Sequence, residues 1–108
     1  MIIAVDFDGT LCANAWPEIG QPNKALIDFL KERRKNGDKL ILWTMREEEY
    51  LQKAVKWCEH FGLHFDAVND NAESLKAAWH NNPRKVYANW YIDDHNAEHF
   101  ADFPIGIY

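Results

Sequence analysis

Residues 1–10 read MIIAVDFDGT: a continuous apolar run, then two carboxylates one residue apart, then a glycine. An unbroken apolar run bounded by Asp-Gly is what a strand buried on both faces looks like, so Met1 to Val5 is read as a strand that ends near Asp6. Its end raises an electrostatic question. Asp6 and Asp8 disfavour each other's ionised form, so a positive charge must sit beside them or one must hold a proton. A solvated turn is the alternative, because Asp and Gly are turn formers.

Working outward, Leu11 to Asn23 reads as an irregular loop punctuated by Pro17, Gly20 and Pro22. Leu26, Ile27, Phe29 and Leu30 then recur at helical spacing up to Gly37. Lys39 to Thr44 (KLILWT) repeats the apolar strand. Arg46 to Phe61 places Tyr50, Leu51, Ala54, Val55, Cys58 and Phe61 on one helical face. A third strand fits about His64 to Asn69, a short helix about Ala72 to His80, and a last strand ends in Trp90-Tyr91-Ile92 before Asp93-Asp94. This alternation predicts an α/β fold in which a doubly wound parallel sheet carries helices on both faces, a three-layer, Rossmann-type arrangement joined by right-handed crossovers.

The 108 residues suit one domain spanning 1–108, and a content of 47 % hydrophobic and 14 % aromatic residues argues for a folded core. Twelve Lys and Arg against seventeen Asp and Glu give a formal charge of -5. No basic run marks a nucleic-acid interface. No segment approaches the roughly 20 apolar residues that span a bilayer, and Cys12 and Cys58 form no CxxC pair, so a cytoplasmic protein with reduced, buried thiols is expected. The apolar tail, Phe100 to Tyr108, is expected to pack on a sheet edge or in a subunit contact.

In parallel α/β sheets, ligands bind beyond the carboxyl ends of the strands. Those ends carry Asp6 and Asp8, then Thr44 and Arg46, then Asn69, Asp70 and Asn71, then Asp93 and Asp94. Polar groups at four successive strand ends are hard to reconcile with ordinary loop composition. Gathered carboxylates make an oxygen-rich site suited to Mg2+, which also answers the electrostatic question. His95 and His99 stand four apart, but with carboxylates dominating and no Cys nearby they are read as surface histidines.

These residues resemble the haloacid dehalogenase superfamily of phosphatases and phosphotransferases: DFDGT, a strand ending in Thr, then a basic residue, then an apolar strand ending in DD. PEIG at 17–20, LILWTMRE at 40–47, RK at 84–85 and YIDDHN at 91–96 are similar to a set of small, mostly uncharacterised members. The resemblance implies a Mg2+-dependent phosphohydrolase. Asp6 would be the nucleophile that forms an aspartyl-phosphate, and Asp8 the acid and base whose backbone carbonyl also ligates the metal. Thr44 would donate its hydroxyl to a phosphoryl oxygen, with the backbone N–H groups of Phe7 to Thr10, Gly9 and Thr10 included, forming an anion nest beside it.

Asp94 maps onto the family's metal-binding carboxylate, with Asp93 a further ligand, direct or through water. The required lysine is Lys85 by motif. Were all eight residues up to Asp93 extended at ~3.3 Å each, Lys85 would lie ~26 Å away, so Lys76 on the preceding helix is its geometric rival. A strand that begins only near Asn89 would remove that objection. Arg46 either reaches the phosphate with its planar fork or pairs with Glu47 to Glu49. Trp16 and Glu18 either touch substrate or pack on their own scaffold. Neither gap that commonly holds a cap domain is long enough for one. An open site implies a bulky phosphorylated substrate, or a lid supplied by a partner subunit in a homo-oligomer. The alternative from another class is a non-enzymatic phosphoacceptor or Mg2+-binding interaction module.

Overall fold

The computed structural model describes residues 1–70 and 87–93. Eight elements follow in order: β1 (Ile2–Val5), β2 (Cys12–Ala15), β3 (Glu18–Pro22), α1 (Lys24–Lys35), β4 (Lys39–Leu42), α2 (Glu48–His60), β5 (Ala67–Val68) and β6 (Trp90–Ile92). The fold is α/β, with a parallel four-stranded sheet in the order β5-β4-β1-β6, compatible with a Rossmann-like fold. The expected helix over 72–80 and the tail over 100–108 lie outside the described residues.

The unbroken apolar runs make sense of the sheet. Ile3 and Val5 of β1 join Leu40 and Leu42 of β4 in a core against Leu26, Ile27 and Leu30 of α1 and Ala54 and Cys58 of α2. Ala4 and Ile41, one residue out of phase, pack with Ala88 on the opposite face, and all six of these β1 and β4 positions are fully buried. A strand buried on both faces has no position for a polar residue, which is why alternation is absent. Among the described residues no helix is long and apolar enough to cross a membrane.

Several boundaries move. β4 ends at Leu42 and α2 begins at Glu48, so Trp43 to Glu47 form a loop at the carboxyl edge. Trp43 is 41 % exposed and lies edge-on to Tyr91 with ring centroids 5.3 Å apart. β5 shrinks to two residues because Asp66 replaces part of its ladder: the Leu40 N–H donates to Asp66 Oδ2 at 2.8 Å and the Asp66 N–H to the Leu40 carbonyl at 2.8 Å. The last strand begins at Trp90, preceded by Asn89, whose N–H donates to the Ile2 carbonyl and whose Oδ1 accepts from the Ile2 N–H.

The larger correction concerns residues 11–23, read as an irregular loop. They contain an antiparallel hairpin, β2 and β3, which pairs Asn14 with Ile19 and Ala15 with Glu18 around a cis Trp16-Pro17 turn. Ile19 apart, little in Cys-Ala-Asn-Ala or Glu-Ile-Gly-Gln-Pro favours a strand, since Asn, Gly and Pro are depleted there. The hairpin stands because Gly20 lets the two backbones close: a Cβ at Gly20 would fall on the Ala13 carbonyl. Gly20→Ala is therefore expected to destabilise the protein by about 1–3 kcal/mol, read as a lower urea midpoint, and an unchanged midpoint would show that the hairpin can open at no cost.

Candidate functional site

The strand order places the switch point between β1 and β6, because the chain steps outward from β1 through β4 to β5 and then returns to the other side of β1. Asp6 and Asp93 follow the paired residues Val5 and Ile92, so they emerge side by side at that crevice. The Asp6 N–H donates to the Ile92 carbonyl at 2.9 Å, which extends the register by one step. Parallel neighbours sit about 4.8 Å apart, so the two residues lie at one edge of the sheet.

The single residue between Asp6 and Asp8 is an anchor. Phe7 is fully buried, edge-on to Trp57 at 5.4 Å, and this plug fixes the turn from which both acids spring. The Phe7 N–H donates to Asp6 Oδ1 at 2.8 Å and orients that carboxylate. Gly9 has φ +82°, a left-handed conformation that glycine adopts without strain. Its N–H donates to the Cys12 carbonyl at 2.9 Å, and the Thr10 N–H to the Phe7 carbonyl at 3.2 Å. The amides of Phe7, Gly9 and Thr10, read as an anion nest, are thus engaged within the turn. Asn23 locks the turn to α1: Nδ2 donates to the Thr10 carbonyl at 3.2 Å, and Oδ1 caps the helix by accepting from the Leu26 N–H at 3.2 Å.

Asp8 meets Arg46, a partner that neither sequence reading of Arg46 anticipates. Arg46 Nε donates to Asp8 Oδ2 and Nη2 to Asp8 Oδ1, both at 2.8 Å, a two-pronged ion pair in which the Arg46 side chain is 1 % exposed. Nη2 also donates to the Glu18 carbonyl at 2.9 Å, and Nη1 reaches the carbonyls of Pro17 and Tyr50 at 3.4 and 3.5 Å. The guanidinium carbon lies 5.0 Å from the Phe7 ring centroid and 4.9 Å from that of Trp16. One cation therefore ties together the turn after β1, the tip of the hairpin and the start of α2. Its hydrogen bonds to Asp8 push the guanidinium above its ordinary pKa, so it stays charged. The thiols play no such part: burial pushes Cys12 up to about 11 and Cys58 up to about 12, leaving both neutral near pH 7.

Thr44 lies in the loop after β4, on the side of β1 away from β6. Its N–H donates to Asn69 Oδ1 at 2.7 Å, and its hydroxyl oxygen accepts from the Arg46 N–H at 3.2 Å, which leaves the hydroxyl proton for another acceptor. Asp6, Asp8, Thr44 and Arg46 line a cleft of about 490 Å3 together with Asn14, Trp16 and Met45. Asn14 and Met45 were not singled out from the sequence; Met45 carries a usable signal, an apolar residue directly after the strand-end Thr. Lys85, its rival Lys76, and Asp94 lie outside the described residues. Among the described residues no group of three His, Cys, Asp or Glu side chains could hold a metal ion. Of the expected metal ligands, Asp6, Asp8 and Asp93 fall among the described residues, and the Asp8 carboxylate is committed to Arg46.

No family model and no curated protein matches the chain. Among solved structures, a conserved protein coded by a locus of Bacteroides thetaiotaomicron is similar, with a TM-score of 0.77 and 36 % sequence identity over 100 % of this chain and 81 % of that one.

Proposed function

We propose that this chain, which belongs to the same family as that conserved Bacteroides thetaiotaomicron protein, is a phosphohydrolase of the haloacid dehalogenase type, Mg2+-dependent and acting through an aspartyl-phosphate. The observation that carries the reading is the position of Asp6 and Asp93, each one residue beyond the Val5–Ile92 pair at the switch point, with Thr44 at the same sheet edge. Asp6, held through Oδ1, attacks phosphorus; the P–O bond to the leaving group breaks and that oxygen takes a proton from Asp8. Water then attacks the aspartyl-phosphate and gives its proton to Asp8, which releases phosphate and restores the Asp6 carboxylate. Thr44 donates its hydroxyl to a phosphoryl oxygen.

The proposed donor set of Asp6, Asp93 and the Asp8 carbonyl, to which the family resemblance would add Asp94, is all oxygen and suits a hard cation that keeps several waters. Bound there, Mg2+ supplies the positive charge that lets a carboxylate approach a phosphate dianion. Lys85 or Lys76 would add to that charge. The doubly wound, three-layer form is supported by the strand order, which places β6 on the far side of β1 from β4 and β5. A capless form is supported by the short hairpin after β1 and the short turn through Gly62 that joins α2 to β5.

The test is turnover of a generic aryl phosphate. Release of phosphate is expected with Mg2+, lost in EDTA and restored by added Mg2+; turnover indifferent to EDTA would remove the metal from the reading. The Asp8–Arg46 pair favours one second reading. Both Asp8 oxygens accept from a cation that gives up no proton, so a site that keeps this pair closed would accept a phosphoryl group and hold it. A phosphorylated mass that persists for hours in Mg2+ would identify such a phosphoacceptor module.

A further inference from the structure

The cleft has two unlike walls. One is the set that reacts; the other is built from Trp16 at the tip of the hairpin and Met45 in the loop after β4. From them we infer the substrate class: the phosphate at Asp6 is carried by a small molecule with an aromatic ring next to the ester, and the ring lies on Trp16. This inference rests on the phosphohydrolase reading of the same site.

Trp16 is 54 % exposed and yet held in place. Its ring has the Arg46 guanidinium 4.9 Å from its centroid and the Tyr50 ring at 5.0 Å, tilted by 52°. Arg46 is itself immobilised by Asp8 and the hairpin carbonyls, so the indole is a fixed surface rather than a loose side chain on a loop. A rigid, half-open indole beside a reacting centre suits another ring, because offset or edge-on aromatic pairs gain beyond the area they bury. Met45 is 97 % exposed, and a thioether on a flexible arm makes favourable contacts with a ring edge.

A polyol would find little here. Apart from the four residues of the reacting wall, the described lining offers one polar side chain, Asn14, and hydroxyl groups set against Trp16 and Met45 would lose their water without replacement. Volume gives the scale: about 490 Å3 falls within the roughly 300–1,000 Å3 of small-molecule sites, enough for a phosphate and one ring system.

The experiment is calorimetric titration of the full-length protein in Mg2+ with two non-hydrolysable probes, benzylphosphonate and ethylphosphonate, which share a head group and differ in the ring. Benzylphosphonate is expected to bind about tenfold more tightly. In Trp16→Ala the ratio should fall to near one, and in Trp16→Phe it should persist. Met45→Ala, at a residue almost wholly in solvent, should narrow the ratio without altering the circular dichroism. Equal affinities in the wild type, or a ratio untouched by Trp16→Ala, overturn the inference while leaving a phosphate site intact. Failure of both probes to bind overturns it together with the phosphohydrolase reading.

Discussion

Asp6→Asn is expected to fold normally and to lose aryl phosphate turnover by about 10^4-fold or more, the scale seen when a covalent nucleophile is removed. The substitution is nearly isosteric. An Asn side-chain oxygen can still accept from the Phe7 N–H, and the Asp6 backbone bond to the Ile92 carbonyl is untouched, so the turn and the β1–β6 register should survive. What is lost is the anionic oxygen that forms the bond to phosphorus. An amide is too poor a nucleophile to replace it, and no aspartyl-phosphate can accumulate. Mass spectrometry of protein quenched during turnover should therefore show a phosphoryl adduct on wild type and none on the variant. Turnover of Asp6→Asn within tenfold of wild type would sink the assignment, and with it the covalent mechanism.

The place of Asp6 at a strand end is legible in the sequence because its cause is local. The run Ile2 to Val5 has to be apolar throughout when both faces are covered, and the change to Asp6 marks where the strand leaves the core. The same reasoning recovers β4 and β6, and hence the edge at which Asp6, Thr44 and Asp93 emerge. It fails at the hairpin, whose strands carry Asn14, Gly20 and Pro22 and owe their pairing to a close backbone approach and to the Arg46 bonds to Pro17 and Glu18. It fails again at Arg46. The acids adjacent in sequence, Glu47 to Glu49, are the partners that local reasoning offers, whereas the partner in space is 38 residues away. Helical periodicity also carries the start of α2 back to Arg46, but that residue's backbone bonds to Thr44 Oγ1 and its side chain is committed elsewhere, so the helix waits until Glu48. Elements defined by burial can be read from one stretch of chain; a clasp between stretches cannot.

The clasp carries the second large effect. Arg46→Ala should lower stability by about 3 kcal/mol, because it strands the Asp8 carboxylate and the Glu18 carbonyl and empties the space between Phe7 and Trp16. For a domain of this size that is a fall in Tm of about 12 °C or more. In an Asp8→Asn background the same change should cost less, since one charge has already gone, and the double-mutant cycle reads the coupling directly. Arg46→Lys separates stability from chemistry. Lysine keeps the charge but cannot present two parallel N–H groups, so Asp8 is held by a point rather than a fork. If Arg46 acts by aiming Asp8, the loss must follow the leaving group: kcat/KM for an alkyl phosphate, whose alkoxide needs the Asp8 proton, should fall by about 100-fold, while a nitrophenyl phosphate, whose leaving group departs without a proton, should lose less than about tenfold. If Arg46 only braces the fold, the two substrates should decline together. A parallel decline would return Arg46 to the scaffold and leave Asp8 to be positioned by the Phe7 anchor alone.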